Sequence, residues 1–167
     1  MPVIDQGANF DRYAIIPRVL IFIFNDEDVL LIKGAPTKRL WANRYNGLGG
    51  HIERGEDVLT AARRELAEET GLDSIHLNLC GTVMVDTRPD LGIGIFIFRG
   101  QTQTRQLQAS AEGMPEWVRL NQIGQIPLVE DLPQLLPRVI AWKPGDEPFF
   151  ARYFYDVDNR LNIEWGH

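Results

Sequence analysis

The sequence predicts an α+β fold in which a β-sheet is layered against helices. Short runs of β-branched and aromatic residues recur along the chain between turn-forming residues, as is typical of strands. Two longer segments are rich in helix formers instead. The 167 residues are 44% hydrophobic and 24% charged, which suffices for one buried core. We therefore expect a single layered domain over residues 1–167, rather than a helix bundle or a barrel.

The first two predicted strands form a hairpin. Arg18–Phe24 and Val29–Lys33 are apolar runs on either side of the turn-forming tripeptide Asn25-Asp26-Glu27. The chain from Gly34 to Gly50 is rich in Gly, Pro and Asn, which predicts a loop. A short strand near Gly49–Glu53 is expected to end it.

The clearest helix is Val58–Thr70. It contains strong helix formers and no internal Gly or Pro, with Asp57 as a good N-cap and Gly71 as a natural residue after the last turn. Its apolar residues recur at spacings of three and four, which predicts one face packed on the sheet: Leu59, Ala62 and Leu66.

The remaining elements follow the same patterns. The segment Val129–Trp142 looks helical, with Pro133 in a first turn and Pro137 at a kink or break. The further predicted strands are His76–Val85, Gly92–Phe98, Glu116–Leu120, and a closing hairpin of Phe149–Tyr155 and Leu161–Trp165. The aromatic faces of that hairpin suit a core or a homodimer surface.

Composition excludes several classes of function. The net charge of -6 and the pI near 5.1 leave no basic field for a nucleic-acid polymer, so a phosphorylated substrate would need a cation beside it. Cys80 is the only cysteine, which excludes an intrachain disulfide and a zinc-finger spacing. No segment has the pattern of a signal peptide or a membrane span. We expect a cytoplasmic protein without a membrane partner.

Three carboxylates are brought together by the first helix. Glu65, Glu68 and Glu69 are related by steps of three and four residues, and Arg64 lies beside them. Such a patch needs either solvent or a cation, because like charges at these spacings repel. A solvated helix face is one interpretation, and a Mg²⁺ site is the other, since Mg²⁺ prefers oxygen ligands and keeps waters that substrate phosphates can replace.

The order of residues around the carboxylates favours the metal site. From Gly50 the chain has five residues, Glu56, seven residues, Arg64-Glu65-Leu66, one residue, Glu68-Glu69, one residue and Gly71-Leu72. Residue frequencies give a chance match a probability under roughly 10⁻⁷. This segment, the box, resembles the signature of the Nudix hydrolase family at every position. The resemblance implies an α/β/α sandwich with a mixed sheet, and hydrolysis of a nucleoside diphosphate linked to another moiety.

The resemblance also implies roles for the box residues. Glu65, Glu68 and Glu69 would be metal ligands for Mg²⁺ or Mn²⁺, with the carbonyl of Gly50 completing the set. Glu56 and Arg64 would hold the loop and orient the carboxylates. Water would attack phosphorus with help from the metal. Its base would be Glu69, Glu65 or an acid outside the box, for which Glu112 is preferred to Glu116.

The approach to the box indicates a substrate. Arg44-Tyr45-Asn46-Gly47-Leu48-Gly49-Gly50 resembles the same segment of the MutT-like branch, in which an asparagine at the place of Asn46 reads a purine; alternatively, Asn46-Gly47 is a tight turn. Trp117, Glu130 and Asp131 would line the base pocket, although acids there are also ordinary helix caps. Lys33 and Arg44 would meet phosphates, or are solvated loop charges.

The leading prediction is therefore a nucleoside triphosphate pyrophosphohydrolase that releases NMP and diphosphate. The MutT-like resemblance suggests sanitising of oxidised purine nucleotides such as 8-oxo-dGTP. An ADP-ribose or dinucleoside polyphosphate pyrophosphatase is the alternative within the same chemistry. A non-catalytic nucleotide-sensing module is disfavoured, because no box carboxylate is missing.

Overall fold

A long central strand organises the sheet. The computed structural model describes residues 6–7, 11–37, 41–108, 110 and 113–166. Within them the sheet has eight strands in the order β3-β2-β1-β5-β4-β7-β8, and β6 pairs with β2. The elements are β1 (Ala14–Asn25), β2 (Asp28–Gly34), β3 (Tyr45–Asn46), α1 (Val58–Thr70), β4 (Leu77–Asp86), β5 (Leu91–Gln101), β6 (Gly113–Arg119), α2 (Leu132–Ala141), β7 (Phe149–Tyr155) and β8 (Leu161–Trp165).

Strand β1 changes partner along its length. At its end it pairs antiparallel with β2, from Ile23↔Leu30 to Asn25↔Asp28. Nearer its start, β1 makes isolated bridges from Arg18 to His51 and from Ile21 to Leu48. The segment leading into the box thus lies beside β1, while the other edge of β1 is paired in parallel with β5. The expected mixed sheet is confirmed, since β4 and β7 are also parallel.

The two sides of the sheet carry two cores. Along β1, Val19, Ile21 and Ile23 pack with α1, whereas Phe22 and Phe24 pack with α2. This alternation follows from the period of two in a strand. Helices therefore cover both sides of the sheet, and the α+β prediction with its α/β/α layering is confirmed. Cys80 lies fully buried among the residues on the α2 side.

Helix α1 has the predicted bounds. The Asp57 side chain accepts hydrogen bonds from the backbone N–H groups of Leu59 and Thr60, and Gly71 has φ 74° just after the last turn. Both signals are local to the chain, which is why the sequence was sufficient to place both ends.

Helix α2 begins later than predicted. It starts at Leu132 instead of Val129, because Val129 donates its N–H to the carbonyl of Tyr45 beside β3. Pro133 lies in the first turn as expected. Pro137 does not break the helix, which continues to Ala141.

The short strand expected near Gly49–Glu53 is wrong in position. The regular pairing is at Tyr45–Asn46, and Gly49 has φ 139°, which interrupts extended pairing before His51. Strand β6 also begins earlier than predicted, at Gly113, and Leu120 starts a 3₁₀ helix instead of ending a strand. Among the described residues, no helix has the length and hydrophobicity to cross a membrane.

Candidate functional site

Two glycines bring the backbone onto the carboxylates of α1. The N–H of Gly49 donates to Oε2 of Glu69 at 2.7 Å, and the N–H of Val19 donates to the Gly50 carbonyl at 2.9 Å. A Cβ atom at Gly50 would overlap the Glu65 carboxylate. A side chain at residue 50 would therefore displace the Glu65 carboxylate. The two hydrogen bonds hold the loop between the central strand and the helix.

Arg64 is the centre of a charged network. Its Nε donates to Oε1 of Glu56 at 2.7 Å, and its Nη1 donates to Glu65 at 2.8 Å and to Glu68 at 3.2 Å. Its Nη2 donates to the carbonyl of His51 at 3.0 Å and to Oε2 of Glu56 at 3.0 Å. One guanidinium thus ties the loop to three carboxylates with the geometry that arginine favours.

The acid that faces Arg64 from the loop has a strongly shifted pKa. Hydrogen bonds from Arg64, and then from the backbone N–H of Glu53, lower the pKa of Glu56 to about 2. The same pairing raises the pKa of Arg64. Glu56 is therefore an anion at neutral pH and acts as an acceptor that fixes the arginine.

The three helix carboxylates differ in exposure. Glu65 and Glu69 are buried, at 9% and 3% exposed, whereas the side chain of Glu68 is 60% exposed. A solvated helix face does not bury two of its three acids, since burial of a charge is unfavourable without a partner. Their hydrogen bonds to Arg64 and to Gly49 supply part of that compensation.

A cleft of about 560 Å³ brings the predicted site residues together. One side of it, the box wall, consists of Gly50, Arg64, Glu65, Glu68 and Glu69. Another side, the second wall, consists of Leu20, Asn46, Ile95 and Asp131. Arg44 also lines the cleft and donates to the carbonyl of Leu128 at 3.1 Å.

The two polar residues of the second wall were each given a local structural alternative by the sequence. Oδ1 of Asn46 accepts from the N–H of Gly47 at 2.8 Å, so Asn46 makes a local turn contact and lines the cleft as well. Asp131 occupies the N-cap position of α2 without a side-chain cap hydrogen bond. Burial, and then the charge of Glu130, raises the pKa of Asp131. Capping therefore does not explain the aspartate.

Several predicted residues lie outside the cleft. Trp117 is paired with Leu30 and packs on the α1 side, where its indole N–H donates to the Arg105 carbonyl at 3.2 Å. Glu130 is exposed and accepts from the hydroxyl of Tyr155 at 3.2 Å. Lys33 lies over the ring of Tyr45, 5.5 Å from its centroid. These three side chains therefore do not line this cleft.

The remaining acids outside the helix have separate positions. Glu56 lies behind Arg64 and does not line the cleft. Glu112 falls outside the described residues. Glu116 accepts from the hydroxyl of Tyr45 at 2.7 Å, which gives it a role in holding β3 against β6.

Sequence reasoning missed Arg18, Leu20 and Ile95. All three stand in predicted strands and line the cleft. No spacing marks them, because the pairing of β1 with β5 that brings them together joins segments more than 70 residues apart. An arginine inside an apolar strand was the one local sign, since a charged residue there needs a reason.

The cleft has the donor set of a site for a hard divalent cation. Three glutamates and Gly50 line it, and oxygen atoms are the ligands that Mg²⁺ prefers. Within the described ranges, no three acidic, histidine or cysteine side chains already form a group that could enclose a metal ion. Glu65 and Glu68 point to Arg64 instead. The residues fit such an ion by chemistry, once Glu68 turns from Arg64.

Comparison with known proteins identifies the family. A family model described as the NUDIX domain matches residues 15–142. Oxidized purine nucleoside triphosphate hydrolases from Mus musculus and Danio rerio are 32% and 30% identical over 106 and 105 residues, or 62% of this chain. The match covers 66% of the length of each relative.

Solved structures share the fold. The MutT protein of Bacillus halodurans superposes with a TM-score of 0.75 at 19% identity, covering 90% of this chain and 97% of that one. The NUDIX domain of Shewanella oneidensis NrtR, crystallised with ADP ribose, gives 0.66 at 20% identity, with 84% and 97% covered. At these identities, the likenesses show that the chain shares their fold.

Proposed function

Because the chain belongs to the NUDIX domain family, we propose that it is a metal-dependent pyrophosphohydrolase that converts nucleoside triphosphates to NMP and diphosphate. One observation carries the proposal: the box carboxylates and the polar pair Asn46 and Asp131 line the same cleft. Phosphates and base of one nucleotide can thus be bound together. The names of the two relatives support a purine triphosphate, including oxidised forms such as 8-oxo-dGTP.

The box wall supplies the chemistry. Glu65, Glu68 and Glu69, with the Gly50 carbonyl, would hold one or more Mg²⁺ ions, for which Mn²⁺ can substitute. When bound, the metal supplies charge neutralisation of the phosphate oxygens and a more acidic water. Glu65 or Glu69, which are both buried and line the cleft, would accept the proton of the attacking water.

Arg64 is a positioning residue in this proposal. It contacts Glu65 and Glu68 directly and fixes the loop through the His51 carbonyl. Glu56, kept ionised by its low pKa, holds the guanidinium in place. The arrangement keeps Glu65 and the loop oriented before substrate arrives, which lowers the cost of reaching the reactive geometry.

The second wall supplies selectivity. The amide of Asn46 and the carboxyl of Asp131 offer donor and acceptor atoms to a base edge, while Leu20 and Ile95 give apolar contact. The raised pKa of Asp131 increases the fraction of the carboxyl that can donate a hydrogen bond. Purines present both donors and acceptors, so such a pair suits them.

The test is a nucleotide panel with Mg²⁺ or EDTA, with products resolved by chromatography. It includes dGTP, 8-oxo-dGTP, ADP-ribose and a dinucleoside polyphosphate. NMP and diphosphate from triphosphates, lost with EDTA, are expected. AMP from ADP-ribose alone would move the activity to the alternative pyrophosphatase. If no nucleotide of the panel is hydrolysed, a nucleotide-sensing module becomes the favoured function.

Box variants complete the test. Glu68→Gln and Glu69→Gln should each lower kcat by at least ~100-fold, because metal assistance contributes several kcal/mol to turnover. Glu147→Gln is the matched control, since Glu147 is exposed and remote from the cleft. Unchanged turnover and unchanged Mg²⁺ dependence in both box variants would contradict the assignment.

A further inference from the structure

Arg18 is a cation in the cleft whose charge the fold does not use. Its Nε is buried without a hydrogen-bond partner, and among the described residues Arg18 makes no ion pair. Arg64 in the same cleft has five hydrogen bonds to carboxylates and a carbonyl. A buried guanidinium N–H without an acceptor costs free energy, and Arg18, unlike the similarly unpartnered Arg99, lines the cleft, where a ligand can supply the acceptor.

The backbone fixes Arg18 between the two walls. On one edge of β1, residue 18 bridges to His51 of the box segment, and on the other edge it pairs with Ile95 of the second wall. Backbone hydrogen bonds hold both neighbours, since Val19 donates to Gly50 at 2.9 Å and Ile52 donates to Pro17 at 3.1 Å. The position of Arg18 is therefore rigid relative to both walls.

The direction of the side chain follows from strand alternation. Val19, Ile21 and Ile23 face α1, so residue 18 faces the other side of the sheet. Its strand neighbour Ile95 also packs on that side, together with Leu20. Arg18 thus lies on the second-wall side of the cleft, one bridge away from the box.

We propose that Arg18 binds the phosphate next to the nucleoside of the substrate, an inference that rests on the proposed function. In the proposed binding mode, the base lies at Asn46 and Asp131, and the outer phosphates lie at the box carboxylates. The phosphate between them then lies beside Arg18. Its oxygens are the acceptors that the guanidinium lacks, and arginine binds phosphate through paired N–H donors. In an acidic protein, a cation at this point also offsets repulsion of the substrate.

The experiment compares Arg18→Gln and Arg18→Lys with the wild-type chain. Arg119→Gln is the matched control, because Arg119 is an exposed arginine on strand β6. Calorimetry measures binding of three probes with Mg²⁺: the α,β-methylene analogue of dGTP, dGMP and inorganic diphosphate. For each protein, the thermal unfolding midpoint and the kcat and KM for dGTP are also measured.

Arg18→Gln should weaken the analogue and dGMP by ~10- to 100-fold, as expected for loss of charged hydrogen bonds. Diphosphate binding should stay near wild type, and the unfolding midpoint should not fall, because Arg18→Gln removes an unpartnered buried N–H. KM should rise more than kcat falls, and Arg18→Lys should recover part of the affinity. Unchanged binding of dGMP overturns the inference. Equal weakening of all three probes with a lowered midpoint also overturns it, in favour of a structural role.

The two proposals fail separately. A wild-type chain that hydrolyses no triphosphate but binds the analogue overturns the proposed function, and the Arg18 measurement still holds. An active wild type whose Arg18→Gln variant binds dGMP normally overturns only the Arg18 inference. A chain that binds no nucleotide overturns both.

Discussion

The box wall comes from one continuous segment, whereas the second wall draws four residues from four separate parts of the chain. From the box wall, Arg64 bonds to Glu56 and Glu68, which lie within eight residues of it, and to the nearby carbonyl of His51. In the second wall, Leu20 and Ile95 meet only because β1 pairs with β5. The first wall is a closed network and the second is an open surface. Under the proposed function, we therefore expect variants of the two walls to have separable effects on turnover and on substrate binding.

Breaking the box wall should have the largest effect. Gly50→Ala places a methyl group on the Glu65 carboxylate, so the loop or the glutamate must move. A displacement of about 1 Å at a reacting centre costs on the order of 100-fold, and we expect kcat to fall by that amount. Steady-state kinetics measure it. Gly124→Ala is the control, because a Cβ there meets nothing within 4 Å; a kcat near wild type for Gly50→Ala would show that the contact is dispensable.

A change in the second wall should act on binding. Asp131→Asn should raise KM for the preferred triphosphate by ~10-fold with kcat nearly unchanged, because one base contact is altered. Asp158→Asn, at an exposed turn residue, is the control. A drop in kcat without a change in KM would place Asp131 with the chemistry instead.

The same variant tests the sign of the pKa shift. Burial raises the pKa of Asp131, so its ionisation disfavours the folded state as pH rises above the ordinary value near 3.8. The unfolding midpoint of Asp131→Asn should therefore exceed that of wild type at neutral pH, with the difference vanishing in acid.

The smallest expected effect is that of Glu56, which lies behind Arg64, on the pH dependence of stability. Because the folded-state pKa of Glu56 is lowered to about 2, its pairing stabilises the fold above the ordinary pKa near 4.5 and is lost as pH falls towards 2. Glu56→Gln should flatten the decline of the unfolding midpoint over that range. Glu147→Gln should leave the decline unchanged, and identical curves for wild type and Glu56→Gln would contradict the pairing.

The difference between the walls also explains what could be predicted from the sequence. The bounds of α1 depend on Asp57 and Gly71, which act within a turn of the helix ends, and both were predicted correctly. The box spacing is likewise local. The start of α2 was misplaced because Val129 bonds to Tyr45, more than 80 residues earlier.

The directions of side chains on strand β6 could not be predicted from the sequence, because they also depend on contacts with distant segments. Trp117 and Glu116 are adjacent, yet one packs on the α1 side and the other bonds to Tyr45. Which of them faces which side depends on the register of β6 against β2, and a shift of one residue would exchange them. No pattern within β6 alone fixes that register.

Strand β1 limits which insertions and deletions this chain can tolerate during evolution. Its alternating residues divide between the two cores, and the same strand sets Arg18 and Leu20 against the cleft. A single-residue insertion or deletion there would move the side chains beyond it to the opposite face of the sheet. Both cores and the cleft would be disrupted together. Purifying selection for a folded chain therefore also preserves the spacing of the site, even in a lineage that has lost its substrate.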